Sequence, residues 1–406
     1  ISQHIRECQE FTKEFLSFYS LDEYEGFVKN LCDYHDLGKL KNFDPDRRDN
    51  PPHSPYSLSF VLNQAISDQE LFFPWFVLKH HGILTREIDE MRISHYLPPD
   101  CGIDRELFKY KVEQYKKKLL ISLPKMPEDS KINLCDVFGL FKLADIISAD
   151  NRMEFKLRAV EKSVVQLERW LREKIDKKGL RLREKDLEFQ LNLGRIEGNL
   201  LLRAPTGWGK TAASLSYALG RSPKIIYVLP TITSIKSFSE DLSNFFGSSD
   251  VGEIFYYSDV EAVKEEKDLH EAMLSSYFTS SVTITTLDQL LLIFLQLGKY
   301  FLKRPHLRKS TIIFDEVHTF TPNMLAILRF FMERYMELYN LNLCVMSATF
   351  PSVLKDFFLD LMKGKNVKSL FLDDEFRKRK RVMFQRINED LDVLDLQEKI
   401  TSFFKP

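Results

Sequence analysis

Along the first 180 positions apolar side chains recur every three or four residues. The stretches 5–20 (with Phe11, Phe15, Leu16 and Tyr19), 22–34, 58–81, 105–121 and 133–171 carry this period, and it predicts amphipathic helices. Proline, aspartate and asparagine crowd 43–55 (FDPDRRDNPPHSP), which predicts a loop. Residues 172–198 are dense in charge and predict a surface helix running into a linker over 181–198. At 199 the pattern changes. Short continuous apolar runs at 199–204, 224–229, 281–286, 310–315 and 342–347 alternate with helical stretches. That alternation predicts a mostly parallel sheet with helices on both faces. Residues 366–378 turn strongly charged, and RVMFQRI after them predicts a first strand of another unit. The expected fold class is therefore multidomain: an all-α domain over 1–180, the linker, an α/β domain over 199–375, and the start of a second α/β unit over 376–406.

Composition narrows this picture in a few places. Lys and Arg number 58 against 59 Asp and Glu, a net charge of −1, so the molecule is no polycation. Any nucleic acid must bind at local basic surface. The turn Lys303, Arg304, Arg308, Lys309 is a candidate for that, whereas Lys116–Lys118 reads as a solvated helix face and Leu71–Phe76 as core. Five scattered cysteines form no CxxC pair, which suits a reducing cytoplasm better than a thiolate zinc site or disulfides. No apolar run is long enough to span a membrane, so no membrane partner is expected.

Two groups of residues carry chemistry. Ala204-Pro-Thr206-Gly207-Trp-Gly209-Lys210-Thr211 follows a strand-like run and opens a helix, the context of a phosphate-binding loop. Small residues there let backbone N–H groups reach phosphates at a helix N-terminus. Lys210 is expected to meet the β and γ phosphates and Thr211 a magnesium ion. The run 310–315 delivers Asp315 to the end of a strand, where it is expected to hold magnesium while Glu316 orients the attacking water. Further forward, His35-Asp36-Leu-Gly38-Lys39 closes one helical stretch and His80-His81 another, with His53 in the loop between and His4 near the start. Asp145, a carboxylate inside the apolar helix FGLFKLADIISAD, is expected to be paired or metal-bound, with Asp150 as the alternative. Imidazoles mixed with carboxylates favour Mn, Fe, Co, Ni or Zn.

The chain also resembles known families. Asp315-Glu316-Val-His318 and Ser347-Ala-Thr349, placed after the phosphate loop, resemble superfamily two helicases. The resemblance implies nucleic-acid-backbone contacts at Pro230, Thr231, Thr286, Asp288 and Gln289, and coupling of nucleotide state to strand movement through Ser347 and Thr349. The order H…HD…H…HH…D resembles the HD-domain metal phosphohydrolases. It implies one metal held by His4, His35, Asp36 and Asp145, and a second held by Asp36, His53, His80 and His81. Two such ions activate water and stabilise a displaced phosphodiester, with Lys39 neutralising phosphate charge and Ser148 meeting substrate. An HD domain ahead of such a motor is similar to the nuclease–helicases of type I CRISPR interference. This implies single-stranded DNA as substrate, a guide-RNA surveillance complex as partner, ATP with magnesium in the motor, and a monomer. Only the start of the second motor domain is visible, so weak ATP turnover is expected. The residues leave open a nucleotide phosphohydrolase with a regulatory ATP-binding domain, a docking module that recruits a helicase, and an RNA-directed motor.

Overall fold

The computed structural model describes residues 2–42, 53–62, 70–82, 103–149, 155–179, 183–255, 273–363 and 366–378. Asp150, Cys101 and the expected strand near 381 lie outside these residues.

The amino-terminal part is helical, as its period predicts: Ser2–Phe18, Glu25–Tyr34, Ser54–Val61, Phe73–Lys79, Arg105–Ser122 and Glu128–Ala149. Two expectations were too long. The stretch 58–81 holds two helices, each opened by a proline in its first turn, Pro55 and Pro74. The stretch 133–171 breaks after Ala149. Residues 155–163 carry no helix, and a new one, Val164–Lys177, starts at a capping box in which Ser163 and Gln166 satisfy each other's backbone. Leu157, buried in this non-helical segment, prolongs the apolar pattern without a helix beneath it. Residues 181–198 are not simply a linker either. Within them Glu184–Asn192 is a helix that packs on the helix Lys210–Ala218.

The second part is built on one seven-stranded sheet, every pairing parallel. Its strands are β1 (Asn199–Arg203), β2 (Lys224–Leu229), β3 (Val251–Ile254), β4 (Val282–Thr286), β5 (Ser310–Phe314), β6 (Asn342–Ser347) and β7 (Val367–Phe371). They run in the order β3-β4-β2-β5-β6-β1-β7. The central strands β2, β4 and β5 are buried along their whole length, which is why they read as continuous apolar runs. The edge strands β3 and β7 escaped the sequence pattern because they are half exposed and carry Glu253 and Lys368. β7 pairs directly with β1, so the charged stretch that begins at 366 completes this sheet.

A single apolar core runs from the helical part onto one face of the sheet, joining Phe15, Phe138 and Phe141 to Phe301, Ile312 and Phe331. The other face has its own core around Leu215, Tyr227 and Phe245. The join is tight. An ideal Cβ on Gly139, in the helix Glu128–Ala149, would stand 1.8 Å from the carbonyl oxygen of Phe301, so only glycine allows this approach. One turn earlier the fully buried Asp136 accepts from Arg304 Nε (2.8 Å), Arg308 Nε (2.9 Å) and Nη2 (2.8 Å), and Tyr339 Oη (2.7 Å). Arg304 and Arg308 are thus no basic turn for nucleic acid. Both are buried and spent on holding the two parts together. These residues lead into β5, so the helical part is clamped where the strands begin.

Lys224, at the start of β2, is a further buried basic side chain, which burial pushes down to about 7. Its ammonium donates to the carbonyls of Phe278 (2.8 Å), Thr279 (3.0 Å) and Ser280 (2.7 Å), tying the turn before β4 to the sheet. Lys224→Met keeps the stem but strands three acceptors. A loss of about 3 kcal/mol is expected, read as a lower urea midpoint at unchanged slope.

Candidate functional site

Five separate elements bring the histidines together. His4 stands in the first turn of Ser2–Phe18, and His35-Asp36 follows Glu25–Tyr34. His53 precedes Ser54–Val61, His80-His81 follow Phe73–Lys79, and Asp145 projects from Glu128–Ala149. Gly38 makes one of these approaches possible. A Cβ there would lie 2.1 Å from the carbonyl oxygen of His53, while Gly38 N–H donates to Ser57 Oγ at 2.9 Å. Its role is close packing of the His35-Asp36 turn on the His53 segment.

The donors form two sets, His4 with His35 and Asp145, and Asp36 with His53, His80 and His81, each with ligand atoms within 4.8 Å of one another. Asp36 links them. Its Oδ1 faces His53 Nε2 at 2.9 Å and His80 Nε2 at 3.6 Å. Its Oδ2 faces His4 Nε2 at 3.5 Å and His35 Nε2 at 3.6 Å. Asp145 Oδ1 lies 3.3 Å from both of those imidazoles. In the second set His53 Nε2 is 3.1 Å from His80 Nε2 and 2.8 Å from His81 Nε2.

The back of the site fixes how these rings present themselves. His35 Nδ1 donates to the Cys32 carbonyl (2.8 Å) and His80 Nδ1 to the Val77 carbonyl (2.6 Å). Ser148 donates to the Ala144 carbonyl and accepts from His4 Nδ1 at 3.0 Å. With Nδ1 protonated in all three, each Nε2 turns a lone pair inward, as metal ligation requires. The buried Nε2 atoms of His4 and His35 make no hydrogen bond. Burial, with the charges of His80 and Lys142 behind it, holds His81 neutral down to about 3. Burial likewise takes His80 to about 4. Burial alone would raise Asp36 and Asp145, yet the surrounding imidazoles and lysines outweigh it and keep both ionised. Five imidazoles and two ionised carboxylates converging, with the Nε2 atoms of His4 and His35 left without a hydrogen bond, fit two divalent cations. Lys39 Nζ sits 2.5 Å from Asp36 Oδ2. Lys142, which the sequence did not flag, sits 3.0 Å from Asp145 Oδ2.

The phosphate loop lies where the strands finish. Gly207 (φ 73°) and Gly209 (φ 105°) adopt the left-handed backbone that the loop needs before the helix opens at Lys210. Thr206 and Gly207 are exposed and Thr211 is half-buried. Lys210 Nζ pairs with Glu316 Oε1 at 2.5 Å. Glu316 itself sits at φ 48°, rare for a non-glycine residue. Its Oε2 accepts from Ala348 N–H (3.1 Å) and Ser347 Oγ (3.3 Å), and His318 Nδ1 reaches Ser347 Oγ at 2.8 Å. Ser347 is therefore wired to Glu316, while Thr349 stands exposed at the same edge. Burial and the neighbouring Glu316 push Asp315 up to about 6, a site where a cation would favour ionisation. Gln190, also missed, donates to the Trp208 carbonyl at 2.5 Å and stands where a side chain on residue 209 would have to go. Its only trace in the sequence is an amide among the leucines of Glu184–Asn192. Pro230, Thr231, Thr286, Asp288 and Gln289 do meet. They line one groove of about 640 Å³ with a floor of Leu292, Leu295 and Met324.

Comparison with known proteins agrees with both parts. Residues 191–357 match the DEAD/DEAH box helicase family. Over 184 residues, 42% of this chain, the sequence is 29% identical to the CRISPR-associated nuclease/helicase Cas3 of Methanothermobacter thermautotrophicus, covering 22% of that protein. The fold resembles T. fusca Cas3 with ADP at a TM-score of 0.58 and 14% identity, covering 89% of this chain and 50% of that one. It resembles T. fusca Cas3 with ATP at 0.56 and 15% identity, with the same coverage. The chain thus spans about half the length of these solved relatives, and less of the archaeal one. Among the described residues no helix is long and apolar enough to cross a membrane. A helical part joined to a parallel seven-stranded sheet thus gives this chain the fold of the solved Cas3 structures, and its α/β part matches the DEAD/DEAH box helicase family.

Proposed function

We propose that the helical part is a divalent-cation-dependent nuclease for single-stranded DNA, and that the α/β part is an ATP-driven motor that delivers the strand, working in type I CRISPR defence beside a guide-RNA surveillance complex. The observation that carries this reading is Asp36, whose two oxygens each face a separate set of imidazoles. When bound, two divalent cations would supply an activated water and charge stabilisation for the phosphate oxygens. His4, His35, Asp36 and Asp145 would hold one and Asp36, His53, His80 and His81 the other. The protein's own part is to aim the imidazoles of His35, His80 and His4 through the Cys32, Val77 and Ser148 contacts. Lys39 adds a cation for the phosphate.

In the motor, Lys210 and the backbone of Thr206–Gly209 would take the nucleotide phosphates, Thr211 and Asp315 a magnesium ion, and Glu316 the water. An arriving γ-phosphate competes with Glu316 for Lys210, which frees the carboxylate from its present pair. The groove of Pro230, Thr231, Thr286, Asp288 and Gln289 offers hydroxyl and amide groups suited to a strand's backbone, with apolar side chains below.

The test loads the protein with Mn²⁺ and offers labelled single-stranded DNA, single-stranded RNA and mononucleotides, without ATP. Cleavage of the DNA is expected, falling at least about a hundredfold in His80→Ala. Hydrolysis of mononucleotides with DNA untouched would favour a nucleotide phosphohydrolase and overturn the reading.

A further inference from the structure

The convergent site has only two carboxylates among its seven donors, and each is also met by a lysine ammonium. Asp145 divides its oxygens. Oδ1 faces His4 and His35 at 3.3 Å, and Oδ2 faces Lys142 at 3.0 Å. Lys142 lies one turn before Asp145 on the same helix, and its charge is felt at His81 in the other donor set. The ammonium therefore stands within electrostatic reach of both sets. An ordinary exposed pair of this spacing contributes little. This pair is different, with side chains only 13% and 9% exposed and Asp145 already supplied with two imidazoles.

Charge gives the lysine a purpose. The two carboxylates, Asp36 and Asp145, are each paired with a lysine, Lys39 and Lys142, so they offer almost no uncompensated negative charge to offset two divalent cations. A loaded site of this kind is strongly positive and suits a phosphodiester. Resting on the nuclease reading, we propose that Lys142 is a substrate-binding residue of this site, donating to a non-bridging oxygen of the scissile phosphate alongside Lys39, with Asp145 Oδ2 as its resting partner.

The experiment compares Lys142→Met, which keeps the stem, and Lys142→Arg with the parent, each loaded with Mn²⁺. Two quantities are read: KM and kcat for bis(4-nitrophenyl) phosphate, a diester small enough to bypass the helicase groove, and Mn²⁺ affinity by electron paramagnetic resonance. The methionine variant is expected to raise KM about tenfold with little change in kcat, the worth of one charge-assisted hydrogen bond. Its Mn²⁺ affinity should be undiminished, and arginine should restore KM. An unchanged KM in the methionine variant overturns the proposal. So does loss of Mn²⁺ in step with activity, which would make Lys142 a mere prop for Asp145. A parent that takes up no Mn²⁺ and cleaves nothing sinks the nuclease reading itself, a result distinct from either.

Discussion

Asp36→Ala is expected to strip both cations from the helical part at once and to lower DNA cleavage by at least about a thousandfold, more than 4 kcal/mol at the barrier. The expectation follows from geometry. His4 and His35 lie 3.5 and 3.6 Å from one oxygen of this carboxylate, and His53 and His80 lie 2.9 and 3.6 Å from the other. Removing a peripheral donor such as His81 leaves one set whole, whereas removing Asp36 leaves neither. Metal analysis of the purified variant, run beside the cleavage assay, checks it. Two retained equivalents of metal, or cleavage at the parent's rate, would refute the shared-ligand arrangement.

Asp136→Ala should do the opposite, sparing the chemistry's ligands while loosening the molecule. It leaves Arg304 and Arg308, both buried, facing a hole in place of their shared carboxylate. Breaking a buried pair from one side costs about 3–5 kcal/mol, so a large drop in melting temperature is expected. Asp136→Asn, which keeps an oxygen for Tyr339 and one arginine, should lose less. Calorimetry distinguishes two forms of the loss. A single lowered transition means that the helical and α/β parts still melt as one body. Two transitions mean that the clamp was what united them, and either outcome comes with a destabilised protein. A melting temperature equal to the parent's would show that the buried cluster contributes nothing.

Which residues converge was more legible in the sequence than how the two parts are joined. His35-Asp36, His80-His81 and the 204–211 loop are local strings whose spacing carries their meaning, and each stands where a helix or strand ends. The central strands were legible because burial on both faces leaves an uninterrupted apolar run. What was hidden depends on partners distant in the chain. Arg304 and Arg308 look like a basic surface until Asp136, some 170 positions earlier, is found between them. Lys142 is an ordinary helix lysine until the histidines arrive around it. Gln190 matters only because the phosphate loop passes over it. β7 carries lysine and serine in an edge position and offers no periodic signal at all.

Asp136 and Asp145 share one unbroken helix, nine positions apart, which at about 100° per residue sets them on opposite sides of it. One side chain grips the sheet and the other completes the histidine cluster. The helix is continuous between them. The helix that completes the histidine cluster is thus also the one that ties the helical part to the α/β part.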